Sequence, residues 1–149
     1  MVFWEKQKKI KALYELCSKP VRADHGLTQM EYSVLLFLHR NPAYDTASSI
    51  VQTGQFTKSH VSSAIRELEE RKLITRGYRG NNNKTIHLAL TGRAEEILRE
   101  AENAYERYKG CLFAGFSEEE MQLIRDFFAR ICENAEAELR NAEEDRKDA

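Results

Sequence analysis

Between residues 58 and 66 the chain places Lys58, Ser59, Ser62, Ser63 and Arg66 at offsets that bring their side chains onto one side of a helix. These are short hydroxyls and cations, and no carboxylate lies among them. Hydroxyls, ammonium and guanidinium groups donate hydrogen bonds to phosphate oxygens and base edges, so the chemistry on offer is binding to a polyanion rather than bond making. Acid enters only at Glu67, Glu69 and Glu70. A helix here would therefore insert by its N-terminal half. A second group of cations, Arg76, Arg79 and Lys84, brackets Gly80-Asn81-Asn82-Asn83 a few residues on.

Positioning such groups takes a scaffold, and the apolar residues supply one. Val61, Ile65, Leu68 and then Leu73 draw a single stripe down the helix, and Thr57 stands where it can cap the start. Leu73 to Tyr78 and Thr85 to Thr91 read as two strands. In the second, Ile86, Leu88 and Leu90 are expected inward, with Thr85, His87 and Ala89 outward. Glycine and asparagine tolerate positive φ, which makes Gly80 to Asn83 the hairpin tip. Taken alone, the helix also fits a solvated face and the hairpin a simple cover for the core. Taken in order, a short helix from Thr46, a turn, a second helix and a basic hairpin spell a winged helix-turn-helix. The fold class is mainly α with a small β-hairpin wing.

Charge supports the pairing of helix and wing. From Thr57 to Arg93 the cations Lys58, Arg66, Arg71, Lys72, Arg76, Arg79, Lys84 and Arg93 exceed the three glutamates by five, in a chain whose net charge is −1. A basic patch on an otherwise acidic molecule draws phosphate locally while keeping non-specific attraction weak.

These residues resemble the MarR family of bacterial transcriptional regulators. The resemblance runs through Leu27-Thr28-Gln29-Met30-Glu31-Tyr32 and on to Leu38, Thr46-Ala47-Ser48-Ser49-Ile50, Phe56-Thr57-Lys58-Ser59-His60-Val61, Leu68 to Ile74, Leu90-Thr91-x-x-Ala94 and Phe116 to Met121. It implies double-stranded operator DNA as partner, a homodimer, and a recognition helix beside a wing. Three departures stand out. The family's Asp-x-Arg wing signature falls on Asn82-Asn83-Lys84, so the usual ion pair within the wing is missing and Asn83 is the residue offered to the minor groove. Gly54 sits one residue early in the turn, with Gln55 in the usual glycine place. Ser63 replaces a frequent arginine, which shifts base contact toward Lys58, His60, Ser62 and Arg66.

Beyond the wing, Ala94, Ile97, Leu98, Ala101, Tyr105 and Tyr108 keep helical spacing. Ser117-x-x-Glu120 is a capping box opening a further helix, whose Leu123, Ile124, Phe127, Phe128 and Ile131 make a wide apolar face. Phe3, Trp4, Ile10, Leu13 and Leu16 do the same at the N-terminus. One domain over 1–149 is expected, with a winged unit at 28–93, dimerisation helices at 1–20 and 94–139, and a tail or fraying helix end at 140–149. An intramolecular core is the alternative use of those helices.

The resemblance also implies a small aromatic effector held between the dimer helices and the winged unit, with Tyr14, Cys17, Tyr32, Phe37 and Tyr105 as candidate residues; ordinary core packing is the competing reading. Ala12 to Ser18 further resembles the first helix of the peroxide-sensing branch of the family, which offers a thiol-based regulator using Cys17, against an inert buried cysteine. A winged helix turned to protein contact is another alternative. An enzyme is not expected: no glycine-rich phosphate loop follows a strand and no Gly-x-Ser-x-Gly occurs. Three widely spaced cysteines and four scattered histidines give neither a disulfide framework nor a metal site, and no cofactor is expected. No apolar run approaches the ~18 residues that span a membrane, and Lys6, Lys8, Lys9 and Lys11 precede no apolar signal core, so a cytoplasmic protein without membrane contact is expected.

Overall fold

A computed structural model describes residues 3–54, 56–80 and 82–147, with the side chains of 3–5, 82, 83 and 145–147 left aside. The side chains of Phe3 and Trp4 of the N-terminal apolar set and of the wing residues Asn82 and Asn83 thus lie outside the described residues, as do Gln55 of the turn and Asn81 of the tip. The elements are α1 (Phe3–Asp24), α2 (Gln29–Arg40), α3 (Ala47–Gly54), α4 (Lys58–Glu70), β1 (Ile74–Arg79), β2 (Asn82–Leu90), a 3-10 turn (Gly92–Ala94), α5 (Glu95–Leu112) and α6 (Glu118–Lys147). They fall into two compact units, Met1–Lys109 and Gly110–Ala149.

Local sequence explains where the helices of the first unit start and stop. Thr28 and Glu31 exchange side-chain and backbone hydrogen bonds at 3.2 and 3.1 Å, a reciprocal cap that starts α2. Thr46 does half of this for α3, its Oγ1 accepting from the Ser49 amide at 3.1 Å. Thr57 occupies the cap position of α4, but contrary to expectation its side chain makes no capping bond. The backbone fixes that first turn instead, with the Val61 amide donating to the Thr57 carbonyl at 3.1 Å. At the far end Lys72 adopts φ of 59°, and the Lys72 and Leu73 amides bond back to the carbonyls of Glu69 and Leu68 at 2.9 Å. That pattern terminates a helix even though the left-handed residue is not glycine.

The core is built where α2, α3, α4 and α5 meet. Tyr32, Val34, Leu35, Ile50, Val61, Ile65, Leu68 and Ile74 are all nearly inaccessible, and Ile97, Leu98, Ala101 and Ala104 close the cluster from α5. The stripe expected on α4 is the buried one, joined by Ala64. Tyr32 has a measurable consequence. Burial, and next the neighbouring Tyr14, push its hydroxyl from 10.0 up to about 12. The unfolded chain loses this proton near pH 10 and the folded chain only near pH 12, so the stability that Tyr32 contributes is whole below pH 10 and disappears as pH rises through that window. Urea midpoints are expected to fall across it by an amount worth roughly 2–3 kcal/mol, and Tyr32→Phe to shrink the fall.

The hairpin departs from expectation in two respects. β1 and β2 pair antiparallel from Ile74 opposite Leu90 to Gly77 opposite His87, then slip, and the next pair is Arg79 with Asn82. The tip is thus narrower than the stretch Gly80 to Asn83, because β2 already begins at Asn82. Strict alternation also fails: Leu88 is buried and Leu90 half-buried, but Ile86 is 44 % exposed. Ile86 lines the open groove beside α3 and α4 together with Leu88, and the closed core reaches only the hairpin's base. Thr91 secures that base, its hydroxyl donating to the Lys72 carbonyl at 2.7 Å and its amide to the Leu73 carbonyl at 3.0 Å.

In the second unit Ser117 and Glu120 form the expected capping box, at 2.8 and 3.2 Å, and α6 runs from there to Lys147. It continues as helix through the stretch read as a fraying end or tail. Alanine, glutamate and arginine favour the helix there without an apolar stripe to bury. Leu123, Phe127, Phe128, Ile131 and Leu139 are at least half exposed along it.

Candidate nucleic-acid interface

On α4 the division between faces is complete. Val61, Ala64, Ile65 and Leu68 are buried, while Lys58, Ser59, His60, Ser62, Ser63 and Arg66 are all exposed. Every recognition-helix residue singled out in the sequence is therefore on one accessible surface, N-terminal to the glutamates. Lys58 has no ion-pair partner among the described residues, and Arg66 lies 4.0 Å from Glu67, both largely in solvent, a separation at which an ion pair holds a side chain only weakly. Cations held this loosely remain available to phosphate.

The turn before α4 explains the early glycine. A Cβ built on Gly54 would collide with the ring of Phe56, which packs on the core cluster. Glycine is thus required at 54 by a close side chain, not by backbone angle.

Three of the five arginines of the patch are engaged inside the molecule, each differently. Arg71, at the end of α4, does not face outward: its guanidinium donates to the carbonyls of His25 at 2.6 Å and Gly26 at 3.2 Å and lies 3.8 Å from Glu31. Arg76 is paired with Glu69 of α4 at 2.8 Å. Arg79 pairs with Asp45 at 2.5 Å, an ionic contact without the alignment of a hydrogen bond. A surplus of five charges counted along the sequence is therefore partly spent inside the molecule. α3, α4 and the hairpin enclose a groove of about 320 Å³, floored by Val51, Val61, Ile65 and Leu88 and edged by Lys58, Ser62 and Arg76.

Asp45 was not marked by sequence reasoning. It precedes α3 by two residues, is 5 % exposed, and holds His87 Nδ1 at 2.7 Å as well as Arg79. Its partners lie more than thirty residues downstream, so no local spacing signals it; an acid just before a helix reads only as favourable helix charge.

The candidate effector residues occupy the first unit away from the groove, and none of the five lines it. Tyr32 is core, and Tyr14 and Phe37 pack against that core. Tyr14 meets Tyr108 edge-on at 5.5 Å, Tyr108 lies 5.9 Å from Tyr105, and Arg40 sits 4.3 Å above the Tyr105 ring. Burial raises the Tyr14 hydroxyl above the usual tyrosine value, and does the same for Tyr108, where Tyr105 and then Cys17 add to it. Cys17 is half-buried; among the described residues no hydrogen bond reaches it from Tyr14 or Tyr32, and Arg22 is turned to Glu15 at 2.7 Å. Of the histidines, His25 pairs with Glu100 at 2.9 Å and His87 with Asp45. No cluster of three metal-ligating residues forms among the described residues.

Comparison with known proteins converges on this arrangement. Residues 25–80 match the model of the MarR family. A curated relative, the HTH-type transcriptional regulator BilQ of Clostridioides difficile (strain CD3), is 25 % identical over 114 residues, covering 76 % of this chain and 74 % of that protein. Among solved structures, a MarR family transcriptional regulator from Listeria monocytogenes complexed with 26mer DNA superposes with a TM-score of 0.74 at 17 % identity, covering 90 % of this chain and 88 % of that one. The S. aureus MepR-DNA complex gives 0.73 at 18 %, covering 90 % and 96 %. At these identities the structural likeness establishes the fold.

Proposed function

We propose that this chain, a MarR-family transcriptional regulator by its match over residues 25–80, binds an operator duplex as a homodimer and acts as a repressor released by a small effector. The observation that carries the reading is the one-sided α4. Its apolar face is wholly buried, while Lys58, Ser59, His60, Ser62, Ser63 and Arg66 stand free beside a hairpin bearing Arg76, Arg79, Asn82, Asn83 and Lys84. Helices of this kind enter the major groove with their N-terminal residues on base edges, and a hairpin wing reaches the adjacent backbone or minor groove. That BilQ is an HTH-type transcriptional regulator and that MepR forms a complex with DNA supports the same reading.

A single winged unit buries too little surface for high specificity, which favours two copies. The exposed apolar side chains fit that need: Ile10 and Leu16 on α1 in one unit, and separately Leu123, Phe127, Phe128 and Ile131 on α6 in the other, the latter a face of a kind that soluble monomers rarely leave bare. In this reading 1–20 and 94–139 serve dimerisation and 28–93 reads DNA. Effector release is assigned to the tyrosine cluster of Tyr14, Tyr32 and Tyr105 with Phe37 and Cys17. A ligand there shifts DNA affinity only through unequal binding to two spacings of the recognition helices. No described helix is long and apolar enough to cross a membrane, and a regulator of genes works in the cytoplasm.

Selecting bound duplexes from a random library tests the core of this reading. A palindrome with half-sites about 10 base pairs apart is expected. Affinity for it should fall with salt at a slope of about −0.9 per phosphate contacted. A library that yields no enriched duplex would leave the winged unit as a protein-docking module.

A further inference from the structure

The wing of this protein is poorly held by its own core. Two-stranded hairpins are marginal alone in water, so packing must hold them. Here β1 buries only Ile74, and on the described part of β2 only Leu88 is fully buried. Both belong to the base. Past Gly77 and His87 the register slips, so the outer half is also out of step with the paired base. Its position must come from side-chain anchors outside the hairpin.

Arg76 gives one, to Glu69 of α4, and a single residue, Asp45, supplies three further contacts. The Asp45 carbonyl accepts from the Leu88 amide at 2.8 Å, Oδ1 meets His87 Nδ1 at 2.7 Å, and Oδ2 lies 2.5 Å from the Arg79 guanidinium. Base, middle and outer end of the hairpin thus converge on one residue. Its carboxylate is 7 % exposed, and a buried carboxylate stripped of partners is costly, so these contacts are strongly enforced. Asp45 is itself fixed, because Thr46 beside it caps α3. The carboxylate absent from the wing's own sequence is in effect supplied from the start of the first helix of the motif.

We propose that Asp45 is a positioning residue for DNA recognition, setting the wing's placement beside α4 through Arg79 and His87, with the Arg79 charge used as an internal tether and not as a phosphate ligand. The proposal rests on the DNA-binding reading, and its two halves are separately measurable. On the selected duplex, binding is followed over a salt series for the wild type, Arg79→Ala, Asp45→Asn and the double variant; hydrogen exchange of the wing amides is followed in the free proteins. Each single change should weaken binding about tenfold with the salt slope unchanged, and the double should lose no more than the worse single. Wing amides near Leu88 should exchange faster in both singles.

A slope shallower by about 0.9 in Arg79→Ala would make that arginine a phosphate ligand and overturn the proposal. So would tighter binding by Asp45→Asn, additive losses in the double, or unchanged binding. Arg79 is 65 % exposed, so its variant folds and decides by its slope even where Asp45→Asn does not. If no duplex is selected, the DNA reading fails by itself. The exchange rates still judge the tether: faster exchange supports it, and unchanged exchange refutes it.

Discussion

Ser62→Glu is expected to weaken operator binding by more than about 100-fold, roughly 3 kcal/mol, while leaving the fold intact. Ser62 stands on the exposed face of α4, between Lys58 and Arg66, on the half of the helix free of acid. A carboxylate there would meet phosphates and base acceptors with like charge, and such juxtapositions cost several kcal/mol across an interface. The same substitution costs the free protein little, since the site is solvated and glutamate is a better helix former than serine. Gel shift or fluorescence anisotropy gives the affinity, and a thermal melt followed by circular dichroism gives the control. Ser62→Ala, which removes the hydroxyl without adding charge, should lose far less. Undiminished binding by Ser62→Glu would mean that α4 does not enter the groove.

Leu68→Ala is expected to have the largest effect on stability, about 2–5 kcal/mol. Leu68 is fully buried on the opposite face of the same helix, and its carbonyl receives the Leu73 amide that closes the helix end. Truncation leaves a cavity among packed neighbours from several elements, which relax only in part. Urea titration should show a lower midpoint with the slope unchanged, as for lost stability without an altered unfolded state. A loss below about 1 kcal/mol would indicate that α4 is held by something other than its apolar stripe.

These two residues mark what was legible in the sequence. Val61, Ile65 and Leu68 recur at helical spacing, and that alone separated the buried from the exposed face of α4. Ser117 and Glu120 announced the start of α6 by the same local logic. Asp45 illustrates what was not legible: its bond to His87 spans 42 positions, and only the fold brings the two together. Arg71 and Arg79 were legible as charge but not as direction, because a guanidinium on a long stem can turn to solvent or to a carbonyl. Ile86 misled because alternation predicts burial only where a core lies beneath the strand.

Arg71 has a mechanical meaning. It fastens the C-terminal end of α4 to the turn between α1 and α2, and His25 in that turn is fastened in its own right to Glu100 on α5. Beyond the packing of its apolar face, α4 is thus clasped at its C-terminal end. Its 13 residues make an arm of about 20 Å, so a tilt of about 5° at the clasped end carries the other end through roughly 1.7 Å. That travel is enough to break a hydrogen bond to a base edge. In the DNA-binding reading proposed above, a slight rotation at α5 passed through this clasp would be felt most at Lys58, the far end of the arm.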